Sequence, residues 1–327
     1  MLPKLYRSLF LFIIIILFSQ SICAQDNHRE FEFVYEVSIP KSNQNVKLWI
    51  PLPQTDEFQI IEEISVFSPY NYSIITEKKY LNKYLYLTVD SVYKGGQSIS
   101  VKIKTVRKER SKPISCNWNG QADFLQENKL VPLNDDIRNE AIRICKNANT
   151  PEEKARAIYK HVIASVKYDK TGTGWGNGDV LYVCNERRGN CTDFHSLFIA
   201  MCRAIDIPAR FSIGFSIPSD KKIGEIKGYH CWAEFFIQDK GWIAVDASEA
   251  FKHPQKKEYL FGNLDFNRIK FTLGRDIKLK ESGKQNLLNF FIYPVCTVGG
   301  EIQAVDKHFY FKQINISKTK SISNSNE

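Results

Sequence analysis

The chain has 327 residues, of which 43% are hydrophobic and 25% are charged, as in an ordinary globular protein. This composition excludes a disordered, collagen-like or low-complexity protein. The 45 basic residues outnumber the 36 acidic ones and give a net charge of +9, but they form no basic stripe with interleaved aromatic residues, so nucleic-acid binding is not predicted.

The first 24 residues are predicted to be a secretory signal peptide. Lys4 and Arg7 precede an unbroken apolar run over residues 9–18, and small or polar residues follow up to Ala24, where cleavage is expected. As a helix this run extends ~15 Å, about half of a ~30 Å hydrocarbon core. The sequence therefore predicts an exported protein, periplasmic or secreted, with no stable membrane span after cleavage; an uncleaved membrane anchor is the alternative.

Export permits disulfide bonds. Of the eight cysteines, Cys23 lies in the leader, and the other seven stand at positions 116, 145, 184, 191, 202, 231 and 296. An odd number leaves at least one thiol free or paired between chains. The sequence does not define the pairing, and a bond between Cys184 and Cys191 is one possibility.

Residues 25–115 are predicted to form an N-terminal antiparallel β-sandwich. Apolar and polar residues alternate from about residue 31 onward, with Phe31, Phe33 and Tyr35 on one side. Turn signals recur at residues 69–71 and 95–96, which is typical of several short strands. No residues with evident chemistry occur in this segment.

Residues 116–313 are predicted to form an α+β core with C-terminal strands, and residues 314–327 a flexible tail. Asn134 is expected to cap a first helix. Thr150 is expected to cap the next one, because a proline follows at the first helical position and Glu153 closes a capping box.

A loop over residues 171–178 follows and contains four glycines and Trp175. It lacks the GxxxxGK[ST] motif and follows no buried strand, so a phosphate-binding loop is not predicted.

Residues 188–195 (RGNCTDFH) open the next predicted helix and bring Cys191 to its N-terminus. Unpaired N–H groups and the helix dipole favour an anion there, so a thiol at this position has a lowered pKa. Gly189 permits close approach of the backbone to a substrate, and Asn190 suits a cap. A cysteine on an apolar helix face is usually only a small buried hydrophobe, and for Cys191 taken alone this interpretation stays open.

A predicted β-hairpin downstream carries a histidine and an aspartate. His230 lies in the strand at 228–236, a tight turn follows at 239–241, and Asp246 lies on the return strand. Asp246 is offset by a residue or two from direct opposition to His230, so local twist or a bulge would have to close the gap. Together with Cys191, these side chains are the parts of a nucleophilic triad.

Neighbouring residues have structural interpretations. His195, one turn beyond Cys191, is interpreted as a structural histidine, and Cys231 is expected to point away from His230 into the core or a disulfide. A rival interpretation is a metal site, with poor spacing, formed by Cys184, Cys191, His195 and His230.

Several segments, taken in order, resemble the transglutaminase-like superfamily. They are residues 189–195 (GNCTDFH), 203–210 (RAIDIPAR), 229–234 (YHCWAE), 241–246 (GWIAVD) and 271–276 (FTLGRD). The chain resembles in particular the exported bacterial members that have an N-terminal β-domain.

The resemblance implies a papain-like core, with helices packed on an antiparallel sheet. Cys191 would be the nucleophile on a central helix, and the sheet would carry His230 and Asp246. The oxyanion would be held by the backbone N–H of Cys191 and a second donor, for which Trp175 is the candidate. A loop aromatic that closes over the core is the alternative interpretation of Trp175.

The resemblance also implies acyl transfer at amides, in which a thioester forms and water or an amine resolves it. The predicted function is an exported cysteine-dependent peptidase or amidase acting on peptides, proteins or cell-wall peptides. A protein-glutamine transglutaminase and a non-catalytic peptide- or glycan-binding module are the alternatives. This chemistry requires no cofactor and no metal, and the sequence does not define the oligomeric state.

Overall fold

A computed structural model describes residues 27–93, 97–114, 120–281 and 287–317 of the chain. The predicted signal peptide and Cys116 lie outside these residues. The fold is α+β with mostly antiparallel sheets, as predicted. Within the described ranges, no helix is both long enough and apolar enough to cross a membrane.

The strands are, in chain order, β1 (His28–Ile39), β2 (Val46–Leu52), β3 (Gln59–Phe67), β4 (Ser73–Thr76), β5 (Lys83–Val89), β6 (Gln97–Lys108), β7 (Lys167–Tyr168), β8 (Arg188–Gly189), β9 (Ala209–Ser216), β10 (Ile223–Glu225), β11 (His230–Ile237), β12 (Gly241–Val245), β13 (Arg268–Leu273), β14 (Ile277–Lys278), β15 (Leu287–Leu288), β16 (Val295–Val298), β17 (Glu301–Ile302) and β18 (Lys307–Ser317). The helices are α1 (Asp135–Ile144), α2 (Pro151–Ser165), α3 (Val180–Glu186), α4 (Cys191–Ala204) and α5 (Ala247–Lys252), with short 3-10 turns at Gly120–Leu125 and Pro254–Lys256.

Two five-stranded antiparallel sheets form the β-sandwich, in the orders β10-β18-β1-β6-β3 and β17-β16-β2-β5-β4. In β1, alternate side chains from Phe31 to Ile39 are buried, and they share one hydrophobic core with side chains of β2, β5 and β6. The strand therefore shows the alternation that the sequence predicts, because every second side chain points to the same face of a sheet.

Both sheets are completed by strands near the end of the described chain. β18 pairs with β1, and β16 pairs with β2, so the sandwich is not made by residues 25–115 alone. β18 also runs four residues into the segment predicted as a flexible tail, because its end pairs with the start of β1 and Ile316 lies opposite Arg29. Residues 318–327 lie outside the described part of the chain.

Aromatic side chains join the sandwich to the second half of the chain. Phe33 of β1 packs against Phe215 of β9 and Phe271 of β13, with ring centroids 5.1 and 5.4 Å apart. Tyr35 packs edge-on against Phe309 of β18 at 4.7 Å. Burying each such side chain contributes about 1.5–3 kcal/mol, so the two halves are stabilised by one shared core.

The first two helices begin at the predicted capping residues. Asn134 Oδ1 accepts the N–H of Ile137 at 3.0 Å. Thr150 Oγ1 accepts the N–H of Glu153 at 3.2 Å, and the Glu153 carboxylate accepts the N–H of Thr150 at 3.0 Å.

The second half of the chain is built around α4, which packs against the four-stranded antiparallel sheet β12-β11-β9-β13. Every side chain from Cys191 to Ala204 is buried, because α1, α2, α3 and α5 also pack against this helix. The helix ends at Ala204, and Asp206 adopts a φ of 62° as the chain turns towards β9. α4 is thus held on all sides, and Cys191 is its first residue.

Candidate active site

Cys191 lies at the N-terminus of α4 and is 3% exposed. Asn190 Oδ1 accepts the N–H of Thr192 at 2.8 Å, and the Asp193 carboxylate accepts the N–H of Asn190 at 2.7 Å. Gly189 has a φ of +155°, and a Cβ there would lie 2.2 Å from Asp193 Oδ2, so the position requires glycine. These contacts fix the start of the helix, whose first N–H groups favour a negative charge.

His230 and Asp246 are positioned by β11 and β12. The register pairs Ala233 with Val245, so its continuation would leave Asp246 two residues from the point opposite His230. The strand ends at Val245, however, and Asp246 turns to cap α5, where it accepts the N–H of Glu249 at 3.0 Å. This turn closes the gap, and Asp246 Oδ2 lies 2.7 Å from His230 Nε2.

The structure brings Cys191, His230 and Asp246 together. The Cys191 thiol interacts with the His230 side chain, whose Nε2 is bound to Asp246. Interactions with Cys231 and with the positively charged His230 hold the pKa of Cys191 well below its usual value despite burial. Burial opposes the charge on His230, but Asp246 and the thiolate raise its pKa to about 10. A thiolate–imidazolium pair is therefore favoured at neutral pH.

Asp246 is fully buried, and groups other than His230 also stabilise its charge. Arg268 Nη1 lies 3.1 Å from Oδ2, and the Ser248 hydroxyl donates to Oδ1 at 3.2 Å. Burial disfavours the charged carboxylate, but His230 and Arg268 outweigh burial and keep the pKa of Asp246 well below its usual range. Arg268 was not predicted as a site residue from the sequence. The available indication was that an arginine begins a largely apolar strand.

His195 and Cys231 lie beside the thiol, and both are fully buried. Cys231 Sγ lies 3.6 Å from His195 Nδ1 and donates to Thr192 Oγ1 at 3.8 Å. Cys231 is thus buried in the core, one of the two expected outcomes, and it is a free thiol, not part of a disulfide. The reason is that α4 packs directly on β11.

Two other interpretations of the cysteines are wrong. Cys184 and Cys191 are both free thiols, so the disulfide between them is not formed. Among the described residues, no group of three or more His, Cys, Asp or Glu side chains could hold a metal ion. The four residues of the rival interpretation therefore do not form a metal site in the described part of the chain.

The glycine-rich loop before α3 is anchored from two sides. The Asp193 carboxylate accepts the N–H groups of Gly176 and Gly178 at 2.7 and 2.9 Å. Arg275 donates to the carbonyl of Asn177 at 2.8 Å. Because Asp193 also binds the start of α4, one carboxylate fixes the loop relative to the thiol.

Trp175 lies in this loop, and its indole N–H donates to the carbonyl of Gly172 at 3.1 Å. This donor is therefore engaged within its own loop, and its role at the oxyanion stays a prediction. Tyr229 was not predicted as a site residue from the sequence. Its hydroxyl lies 2.7 Å from Thr192 Oγ1 and accepts from the Asn190 amide at 3.1 Å. The available indication was its position directly before His230.

Residues 138–247 match the sequence profile of the transglutaminase-like superfamily. The matched segment contains Cys191, His230 and Asp246 and includes α4 and its sheet strands β9, β11 and β12. Residues 138–247 are therefore similar to the transglutaminase-like superfamily, as the motifs indicated.

Relatives extend the likeness beyond this segment. An uncharacterized protein of Haemophilus influenzae is 28% identical over 320 residues, which cover 83% of this chain and 86% of that protein. The uncharacterized protein YebA of Bacillus subtilis is 21% identical over 167 residues, which cover 47% of this chain but 22% of YebA. A solved structure from Cytophaga hutchinsonii, of a protein named provisionally as a cysteine protease, is 18% identical and has a TM-score of 0.61, covering 90% of this chain and 93% of that one. The fold, including the sandwich, thus recurs in another protein.

Proposed function

We propose that this chain is an exported cysteine-dependent amide-bond enzyme, a peptidase or amidase, that works through a thioester on Cys191. The observation that carries the proposal is the buried series of contacts from Cys191 to His230 and from His230 Nε2 to Asp246 at 2.7 Å. The nucleophile, the proton carrier and the residue that orients the carrier are in contact before any substrate binds.

The reaction begins when the Cys191 thiolate attacks the carbonyl carbon of an amide. A C–S bond forms, the carbonyl electron pair moves to oxygen, and the N–H of Cys191 at the start of α4 stabilises the resulting oxyanion. The C–N bond then breaks, and His230 transfers its proton from Nδ1 to the leaving amine. This half-reaction yields a free amine and a thioester on Cys191.

Hydrolysis completes the cycle. Neutral His230 takes a proton from a water molecule as that water attacks the thioester carbonyl, the C–S bond breaks, and a carboxylic acid leaves. The thiolate–imidazolium pair is restored, and Asp246 stays ionised throughout. Water at solvent concentration outcompetes any amine that is not specifically bound, which favours hydrolysis over amine transfer.

The proposed substrates lie outside the cytoplasm. The predicted signal peptide over residues 1–24 directs the chain to the periplasm or the medium. The peptide bonds available there are those of peptides, proteins and cell-wall peptides, and we propose these as the substrate class.

The test uses the chain without residues 1–24, a peptide library and peptides prepared from cell wall. The wild type is expected to cleave an amide bond in at least one set and to show an acyl adduct on Cys191 by mass spectrometry after acid quenching. Cys191→Ala should lose both cleavage and adduct. Cys202→Ala, which removes another buried cysteine of α4, should keep both.

Cleavage that survives Cys191→Ala would overturn the proposal. An adduct that is resolved only by an added labelled amine would replace hydrolysis by transglutaminase chemistry. Peptide binding without any adduct would indicate the non-catalytic module.

A further inference from the structure

Tyr229 is a residue of the site that the reaction proposed above does not use. It directly precedes His230 in the chain, and its side chain is half-buried beside the start of α4. Its hydroxyl lies within hydrogen-bond distance of three groups, which belong to two other segments of the chain. The partners of this one hydroxyl indicate what the residue does.

Two of these partners flank the nucleophile. The Asn190 side-chain amide donates to the Tyr229 hydroxyl at 3.1 Å, and Thr192 Oγ1 lies 2.7 Å from the same oxygen. Asn190 and Thr192 are the residues immediately before and after Cys191. The hydroxyl is therefore bound to the chain on both sides of the nucleophile.

The third partner fixes the direction of these hydrogen bonds. A phenol has one hydroxyl proton, and Tyr229 donates it to the carbonyl of Gly176, in the glycine-rich loop, at 3.4 Å. Thr192 must therefore donate its own proton to Tyr229, and Thr192 Oγ1 in turn accepts the S–H of Cys231 at 3.8 Å. The Tyr229 hydroxyl thus accepts two hydrogen bonds and donates one.

The ring of Tyr229 is also held in place. It packs against Phe290 and Tyr293, with ring centroids 5.6 and 5.8 Å apart. Tyr293 packs in turn against Phe309 of β18 at 5.9 Å. Because a closely packed side chain stays in one rotamer, the hydroxyl has a defined position relative to the backbone of Tyr229.

The caps of α4 fix the shape of its first turn, but not the place of that turn relative to β11. Asn190 and Asp193 bind backbone N–H groups of the turn itself. Hydrogen bonds that cross from the turn to the beginning of β11 come from Tyr229 and, more weakly, from the Cys231 thiol. The Tyr229 hydroxyl is thus the stronger hydrogen-bonded link between the elements that carry the nucleophile and the proton carrier.

We propose that Tyr229 is a positioning residue for the reaction, and that its hydroxyl holds Cys191 in place relative to His230. The hydroxyl is bound to both neighbours of Cys191, and the backbone of Tyr229 is bonded to that of His230. The inference rests on the proposed function, because it requires Cys191 and His230 to act as a pair. The pair depends on its alignment, since a misplacement of about 1 Å can reduce a rate roughly 100-fold.

The test measures the rate of Cys191 alkylation by iodoacetamide against pH, resolved by mass spectrometry of the peptide that contains Cys191. The midpoint of this profile reports the stability of the thiolate, and the plateau at high pH reports access to the sulfur. Tyr229→Phe keeps the ring and removes the hydroxyl. The midpoint is expected to rise by about 0.5–1 unit, a roughly three- to tenfold loss of thiolate at acidic pH, because a displaced imidazolium stabilises the thiolate less. The plateau should not change.

Tyr35→Phe is the matched control. The Tyr35 hydroxyl also donates to a backbone carbonyl, that of Ile292 at 2.9 Å, but it belongs to β1 of the sandwich. This variant loses a comparable hydrogen bond and should keep the wild-type midpoint.

A second pair of variants removes the link from the side of the helix. Thr192→Val has no hydroxyl to donate to Tyr229 and should raise the midpoint in the same direction as Tyr229→Phe. Thr192→Ser keeps a hydroxyl and should stay close to the wild type. Because Thr192 and Tyr229 share one hydrogen bond, the double variant with Val and Phe should shift the midpoint by less than the sum of the two single shifts.

The outcomes separate this inference from the proposed function. Wild-type Cys191 that titrates near the ~8.5 of a free thiol would overturn both. A wild-type midpoint well below that value, left unchanged in Tyr229→Phe, would overturn only the role of Tyr229. A higher plateau with an unchanged midpoint would show that Tyr229 only limits access to the sulfur. Equal midpoint shifts in Tyr229→Phe and Tyr35→Phe would show a general loss of stability, which also contradicts a positioning role.

Discussion

Asp246 lies between two histidines that the site keeps in opposite charge states. Its Oδ2 is 2.7 Å from His230 Nε2, and its Oδ1 is 3.5 Å from His195 Nε2. His230 donates to the carboxylate and faces the thiolate, and its pKa rises to about 10. His195 accepts a backbone N–H at the same nitrogen, and burial lowers its pKa to about 4. The partners of each histidine, not the residue type, thus set its charge state.

Replacing Asp246 by Asn tests this assignment. The change removes the negative charge that raises the pKa of His230, so this pKa is expected to fall from about 10 towards the usual ~6.5. In the wild type the imidazolium of His230 persists below pH about 10 and is lost as the pH rises through that value. The alkaline limb of kcat/KM should therefore move to lower pH. Titration of His230 by NMR, with labelled histidine, measures the shift directly.

Asp265→Asn is the matched control, because Asp265 lies 3.7 Å from Arg268 but does not contact His230. His230 should titrate in this variant as in the wild type. Equal titration of His230 in the wild type and in Asp246→Asn would show that the carboxylate does not set the charge of the imidazole.

At the scale of elements, the start of α4 depends on the glycine that precedes its cap. Gly189 and Gly262 both have positive φ values, of 155° and 109°, but a Cβ at Gly262 would have nothing within 4 Å. Gly262→Ala is therefore expected to cost about 1 kcal/mol through backbone strain. Gly189→Ala adds a clash with Asp193, and we expect a loss of about 3 kcal/mol in the free energy of unfolding.

Urea denaturation compares the two variants. Gly189→Ala should also slow the alkylation of Cys191, because displacement of Asp193 disturbs its hydrogen bond to Asn190. Equal losses of stability in the two variants would mean that the clash is relieved without cost and that the start of α4 is not tightly fixed.

The individual elements were predictable because their signals are local. The caps at Asn134 and Thr150 need only the few residues that follow each of them. The contacts of Cys231 and Arg268 were not predictable. They depend on how α4 lies on β11 and on how the side chain of Arg268, at the start of β13, reaches Asp246 at the end of β12. A sequence pattern gives the face of a strand, but it does not give the side chain that an adjoining element brings to that face.

At the scale of the whole molecule, the sandwich is closed by the end of the chain. β1 lies between β6 and β18, and β18 also pairs with β10, which shortly precedes His230. The alternation in β1 predicted a sheet, but pairing between opposite ends of a chain leaves no local signal. The division at residue 115 stays a prediction, and the shared aromatic core makes independent folding of the two halves testable.

A chain that ends at residue 306 tests this closure. It lacks β18, so β1 loses its hydrogen-bond partner on one side, and Tyr35 loses the ring of Phe309, 4.7 Å away in the complete chain. An unpaired strand edge and an opened core are both unfavourable. Because the core is shared, we expect the loss of stability to reach the segment around α4. The urea midpoint should fall sharply, and the rate of Cys191 alkylation should fall with it.

A chain that ends at Ser317 keeps β18 and should match the complete protein in both measurements. The chain ending at residue 306 could instead have a lower urea midpoint and still alkylate Cys191 at the rate of the complete protein. The two halves would then be independent domains, and their shared core would contribute little to stability.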